Sequence, residues 1–378
     1  MTPAGEPSPG RADRDTRNSA LTLALTLPGD TVLYLLLPLH AAVFGVTLPE
    51  AGLLLAANRL VRIAGYGWIA RVYAERGPRA ACTVAAAAAA LATTGYAVLS
   101  GVWALLAARL LWGLAYAAMN IAVQALPTAR AEGAERRSGW SRSIVAAGPM
   151  IGLAGGALLA EWAGPRAVFL ALGLVSLPAI LFAARLPVAP EGRAGAGPRF
   201  SLPGALDLWA FTFGLAMDGI FIIGLAVLAA EALPQGATLA AGGALALRYA
   251  AEILLSPLAG RLAGQWGARR ALVLLSLGSA GGLLLLGLGG ALLWVGALGT
   301  VLLRAIVQPL AGPIVAAENP GGARVPALAR QATWRDIGAG AGPLLAGILF
   351  PLLPALLVYG GAAAMLAAAS LAVRRRGG

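Results

Sequence analysis

Eight charged residues stand inside long apolar runs: Asp30, Arg59, Arg62, Arg109, Asp218, Arg248, Glu252 and Arg304. Asp30 is the plainest case, in LTLPGDTVLYLLLPLH (Leu25 to His40). Charges facing hydrocarbon are costly, and eight of them would be prohibitive, so they must face a protein or water-filled interior and mostly pair. There a carboxylate can take up and release a proton, since burial and an arginine neighbour pull its proton affinity in opposite directions. Asp30, Asp218 and Glu252 are the proton-exchange candidates, and Arg59, Arg62, Arg109, Arg248 and Arg304 are their candidate ion-pair partners.

Spacing gives each helix one polar face. Asn58, Arg59, Arg62 and Tyr66 recur by threes and fours, as do Arg109, Gly113, Tyr116, Asn120 and Gln124. Arg248 and Glu252 are four apart and can pair within one helix, and Arg304 lines up with Gln308. Tyr34, Asn58, Tyr116, Asn120, Gln124 and Gln308 are the candidates for a solute cavity. Their mix with arginine suits an anionic or zwitterionic group. A ruler of about 1.5 Å per residue puts Arg59 and Arg62 at the depth of Asp30, and Arg109 roughly 10 Å away from it. By depth, Arg59 or Arg62 is the partner of Asp30. Pro28 and Gly29, just before Asp30, free backbone carbonyls and let the helix open toward a cavity.

The elements that must hold these residues are membrane helices. The chain has 378 residues, is 59% hydrophobic and 12% charged, and has a mean hydropathy of +0.79. Run after run reaches the roughly 20 apolar residues that cross a bilayer. The runs predict an all-α polytopic membrane protein with twelve spans, at 19–45, 49–73, 79–100, 102–127, 140–162, 165–186, 205–230, 237–260, 270–289, 291–316, 332–352 and 354–373. A Pro/Gly-rich linker at 187–204 divides a bundle at 19–186 from one at 205–373, with tails at 1–18 and 374–378. The first tail is polar and reads as disordered.

Every basic residue is arginine. With the N-terminus inside, the inner loops, tails and adjoining span ends hold nearly all of those not named above, Arg142 and Arg335 among them, and the outer loops hold Arg166 alone. Both termini are therefore expected to be cytoplasmic, in a cell inner membrane. The net charge of +12 then belongs to the face that meets anionic headgroups, not to a nucleic-acid surface. Cys82 is the one cysteine and His40 the one histidine. With no metal-ligand cluster, phosphate loop or nucleophile elbow, no enzyme, cofactor, metal or ATP drive is expected. A small solute, protons and lipid are the expected partners, and the chain is expected to be monomeric.

The two bundles repeat. ARVYAERGPRA matches GRLAGQWGARR with Gly77 on Gly267, an offset of 190. Arg109 falls on Arg304 at 195, Trp140 on Trp334 and Pro149 on Pro343 at 194, and Asp30 on Asp218 at 188. Four matches in order argue for a duplicated six-helix unit, an arrangement that places a solute site between the halves near the midplane.

GRLAGQWGARR resembles the loop motif G-x-L-A-D-R-x-G-R-R of the major facilitator superfamily. Gly260, Leu262, Ala263, Gly267, Arg269 and Arg270 match, while Gly264 and Gln265 replace Asp and Arg. In the first copy Gly77 and Arg79 hold, and Ala70 and Ala74 replace Gly and Asp. Arg109 and Gly113 resemble the fourth-helix motif R-x-x-x-G. AAGPMIGLAGG, with Gly148 and Pro149, resembles the fifth-helix motif associated with antiporters. The resemblance covers nearly the whole chain. It implies two pseudo-symmetric six-helix bundles that move a small organic solute by alternating access, with proton-coupled export ahead of proton-linked uptake. A channel or receptor is the remote reading. It also favours Arg109 as the partner of Asp30. Gly77, Arg79, Gly148, Pro149, Gly260, Gly267, Arg269, Arg270 and Pro343 become the expected gating turns and kinks.

Overall fold

The computed structural model describes residues 7–188, 203–222, 224–225 and 247–375. Most of the expected 187–204 linker, and the adjoining ends of the seventh and eighth spans, lie outside them. The helices are α1 (Pro9–Leu39), α2 (Leu48–Val98), α3 (Val102–Ala125), α4 (Ala134–Ala163), α5 (Pro165–Ser176) and α6 (Pro178–Ala184). They continue with α7 (Ala205–Phe213), helical residues 247–255, α8 (Leu258–Trp266), α9 (Ala268–Leu288), α10 (Gly290–Val307), α11 (Ala311–Glu318), α12 (Arg324–Leu349) and α13 (Ala355–Arg375). Among the described residues twelve passes can be followed, the seventh and eighth in part, and eight helical runs, one of them the two-pass α2, are long and apolar enough to cross a membrane.

Several ends differ from hydropathy, each for a local reason. α1 begins at Pro9, so ten residues of the expected disordered tail are helical; proline at the first turn needs no N–H donor. It ends at Leu39, not 45, where a 3₁₀ turn Ala41–Phe44 closes on Gly45 at φ 67°. The second and third passes form one helical run, α2, broken at Gly77 (φ 81°, ψ 163°), a conformation open to glycine alone at little cost. α2 starts from a capping box: Thr47 N–H donates to Glu50 Oε2 at 2.8 Å and Thr47 Oγ1 accepts from Glu50 N–H at 3.4 Å. α4 and α12 begin at Ala134 and Arg324, against the expected 140 and 332.

Glycine sets how closely the helices pack. Pro28 lacks the N–H that would bond Ala24 O four residues earlier. That carbonyl instead packs on Gly148 of α4, where a Cβ would sit 2.0 Å from it. One turn on, Gly152 takes Pro28 itself. The second half repeats the device: Gly338 of α12 lies on Phe211 O, also at 2.0 Å, and Gly342 lies on Gly219. There the first helix of the half is loosened by a π-helical stretch, Gly214–Ile220, which carries Asp218. Each repeat thus holds its aspartate on an irregular helix clamped by a glycine-faced partner.

Gly148→Ala must push α4 off α1, at about 1–3 kcal/mol. Gly155→Ala, with nothing within 4 Å of the added carbon, should be neutral or stabilising by up to about 1 kcal/mol. The thermal unfolding temperature in detergent should therefore fall for Gly148→Ala and not fall for Gly155→Ala.

Candidate functional site

Asp30 is met by Arg109. The guanidinium of Arg109 donates from Nη1 to Asp30 Oδ1, from Nε to Leu54 O at 3.0 Å and from Nη2 to Leu55 O at 3.4 Å. Asn58 Nδ2 donates to the same Asp30 oxygen at 2.8 Å. Tyr34 lies alongside, its hydroxyl donating to Leu55 O at 3.2 Å. Arg109 is fully buried, and Asp30 keeps a narrow exposure on the cavity wall. Gly113 permits this: a Cβ there would stand 2.4 Å from Val61 Cγ1, so α3 could not approach α2 closely enough. The depth ruler chose Arg59 or Arg62 because it ran α1 to residue 45 and counted from the wrong ends. From the true ends Asp30 lies nine residues before Leu39, Asn58 ten after Leu48 and Arg109 seven after Val102, a spread of about 5 Å.

The second half holds the corresponding pair. Arg304 donates to Asp218 Oδ1 at 2.6 Å and also to Glu252. Arg248 approaches Asp218 and Glu252, each at 3.5 Å, and Arg335 donates to Asp218 Oδ2 at 2.9 Å. Arg248 and Asn58 are repeat mates at the offset of 190, and each touches the aspartate of its own half. Glu252 and Arg304 are fully buried behind the cavity wall, as is Asn58, so these three do not face the cavity directly.

Arg59 and Arg62 join the two halves instead. Arg62 pairs with Asp336 of α12 at 2.9 Å, and its guanidinium lies 4.4 Å over the Tyr116 ring. Tyr66 donates to the same carboxylate at 3.3 Å and accepts from Asn120 Nδ2 at 3.0 Å. Arg59 donates to Ala339 O. On the other seam Arg142 of α4 pairs with Glu252 at 2.5 Å, and Ser143 Oγ donates to Ile253 O. The two cross-half pairs are repeat mates: Arg62 falls on Glu252 at 190 and Arg142 on Asp336 at 194. Their signs are exchanged, so the first half supplies both arginines and the second half both carboxylates.

Nearer the termini, Gly139 lies on the Ser256 carbonyl, Gly260 on the Arg136 backbone, and Arg324 donates to Thr128 O at 2.9 Å. These cross-half contacts lie at mid-depth or toward the face that carries both chain ends. Between the halves is a cavity of about 870 Å³ whose wall includes Asp30, Tyr34, Arg59, Arg62, Tyr116 and Asn120, with Gln124, Asp218, Arg248, Gln308 and Asp336 completing its polar circuit and Pro149 beside them. Tyr34, toward the other face, is 41% exposed.

The turn residues are anchors within each half. Arg79 donates to Leu186 O at 2.8 Å, just past α6, and Arg269 to Val373 O at 3.0 Å in the last turns of α13, so both meet helix C-terminal carbonyls. Arg270 is exposed, and among the described residues its side chain makes no such contact. Gly267, at φ 80°, ends α8. Pro149 and Pro343 sit inside helical runs. Three functional positions were missed from sequence: Arg142 and Arg335, assigned to loops, and Asp336. The signal lay in the repeat, since Arg142 and Asp336 are mates and both follow the matched tryptophans by two.

Asp336→Asn leaves Arg62 without its counter-charge, costing the sealed arrangement about 3 kcal/mol. In a Cys82→Ala background, Ser138→Cys on the cavity wall should then react with a membrane-impermeant maleimide from the terminal face far faster than in the parent. Arg62→Asp combined with Asp336→Arg should return much of the protection.

The description "Major Facilitator Superfamily" matches residues 20–230. No curated protein matches the chain. Among solved structures, the human organic anion transporter MFSD10 (TETRAN) is similar at a TM-score of 0.79 and 18% identity, covering 97% of this chain and 100% of that one. The proton:xylose symporter XylE, bound to 6-bromo-6-deoxy-D-glucose, is similar at 0.78 and 14%, covering 97% and 96%. A bacterial homologue of the iron transporter ferroportin in an outward-facing state is similar at 0.77 and 14%, covering 96% and 98%. At these identities the solved structures establish the fold, and the model match extends over more than half the sequence: the chain belongs to the Major Facilitator Superfamily.

Proposed function

We propose that this protein is a secondary active transporter that exports a small organic solute in exchange for protons, by rocking its two halves about the central cavity. The observation that carries the reading is the cavity itself. It lies between the repeats, has Asp30 in its wall, and is sealed toward the terminal face by a small set of separable contacts. With both termini cytoplasmic, as the arginine distribution favours, this arrangement is closed to the cytoplasm. The protein works as a monomer in a cell inner membrane and performs no bond chemistry on its solute.

Asp30 is the proton carrier in this reading. Arg109 and Asn58 both address Oδ1, and among the described residues Oδ2 accepts no hydrogen bond. Pro28, two residues away, rests on Gly152, so movement of α4 is felt at Asp30. That contact belongs to the fifth-helix motif and supports exchange over co-transport. A proton can couple to the two arrangements only if they bind it with different affinity. A shift of Arg109 or Asn58 relative to Asp30 supplies such a difference.

Comparing metabolite and drug accumulation in cells with and without the protein identifies a solute, and proteoliposomes then fix its direction. For export, solute moves against an imposed proton gradient; movement with the gradient makes the protein an uptake system. Asp30→Asn should remain folded and bind solute while its transport rate ignores the pH gradient. Asp218→Asn should be milder in that response. Full pH dependence in Asp30→Asn would return Asp30 to a structural role. Reporter fusions after Gly378 and within 187–204 should both report the cytoplasm.

A further inference from the structure

Charges of the second half, joined by Arg142 of the first, close into a ring at the cavity wall, with Glu252 set just behind it. Arg142 contacts Glu252 at 2.5 Å, Glu252 contacts Arg248 at 3.5 Å, and Arg248 contacts Asp218 at 3.5 Å. Asp218 accepts from Arg335 at 2.9 Å. With its carbonyl oxygen turned toward them, Gln308 accepts from Arg335 at 2.9 Å and Arg142 at 3.2 Å, which completes the circuit. Cation and anion alternate around it except at Gln308, where alternation would require a third carboxylate. Arg304, behind the ring, is already shared by Asp218 and Glu252. The group thus holds four arginines against two carboxylates.

Among the described residues the remainder of the cavity does not restore balance. Asp30 is matched by Arg109 and Asp336 by Arg62, while Arg59 contacts a backbone carbonyl and, among the described residues, no carboxylate. Among the described residues neither Arg59 Nε nor Arg248 Nε makes a hydrogen bond, though both are buried and the latter keeps its 3.5 Å ion contact to Glu252. An uncompensated positive excess at this depth is unfavourable until an anion enters. Arg142, Arg248 and Arg335 all border the cavity, and Leu23, Leu27, Leu153, Phe213 and Ile222 give it an apolar side.

We propose that the transported solute is an organic anion, whose carboxylate, phosphate or sulfonate group docks at Gln308 between Arg142 and Arg335 and whose apolar body lies along α1, α4 and α7. Planar guanidinium forks suit such oxygens, and a bond between two charged groups is worth about 1.5–3 kcal/mol. The anion supplies the member of the ring that the chain lacks. This rests on the cavity being the solute site, as proposed above, and adds the class of solute.

The test is binding to the full-length protein in detergent, with no gradient present, followed by calorimetry and thermal unfolding. The probes are 2-naphthoate, 2-naphthyl phosphate and 2-naphthalenesulfonate, with neutral 2-naphthamide and chloride as references. At least one anionic probe should bind saturably and about tenfold or more tighter than the amide, the equivalent of 1.4 kcal/mol. Gln308→Glu fills the vacancy with the chain's own carboxylate; it should unfold no earlier than the parent and lose anion binding by a similar factor. If that variant fails to fold, Gln308→Met takes its place and should keep anion binding, because the arginines remain uncompensated. Equal binding of amide and anions, no binding of any anionic probe at millimolar concentration, full competition by equimolar chloride, or unchanged affinity in a folded Gln308→Glu each overturns the proposal. An anion that binds to this site yet is not carried in proteoliposomes upholds the site and overturns the transport reading alone.

Discussion

A guanidinium held within a membrane bundle cannot shed its charge, so every buried arginine dictates what must stand beside it. Much of this architecture follows from that requirement. Arg109 needs an aspartate and two backbone carbonyls, so α3 must lie close on α2, and Gly113 lets it. Arg304 needs two carboxylates, which draws Asp218 and Glu252 from separate helices to one point. Arg62 finds its carboxylate only across the seam, and so ties one half to the other. The polar network positions the helices as much as the helices position the network.

Close approach is the second condition, and it is met by leaving out side chains. Gly148 and Gly338 receive backbone carbonyls from the first helix of their own half, while Gly139 and Gly260 receive backbone from the opposite half. The first pair acts within a bundle and can stay in place as the halves move. The second pair lies on a surface that must part if the terminal face opens. Glycines therefore serve both permanent and reversible packing, and on α4 the two kinds, Gly148 and Gly139, lie on one helix at different depths.

The fold was legible because a bilayer imposes a coarse rule that hydropathy reads directly, and because duplication repeats landmarks such as Pro149 and Pro343. The site was legible wherever a charge interrupted an apolar run, as at Asp30 and Arg304. Arg142, Arg335 and Asp336 escaped because they stand in the first five residues of the expected spans 140–162 and 332–352, where a charge is ordinarily counted with the adjoining loop; the helices in fact begin earlier. α4 and α12 extend six and eight residues beyond the expected limits, which puts apparent loop residues a turn or two inside the bundle. Depth misplaced the partner of Asp30, which the family resemblance favoured as Arg109, for a related reason: depth inferred along a helix is only as good as the assignment of its ends.

The exchanged signs of the two cross-half pairs have a further meaning for how the halves recognise each other. Two identical six-helix units related by a two-fold axis would present the same residue at both mated positions. Here one unit offers Arg62 and Arg142, and the other offers Asp336 and Glu252. A first half laid against another first half would set arginine against arginine, and two second halves would set carboxylate against carboxylate. Like-charge juxtaposition of this kind costs several kcal/mol. In a crowded membrane, where copies of the chain meet, each half is thereby steered to the complementary half and away from its own kind, so the pairing of the two repeats is directional.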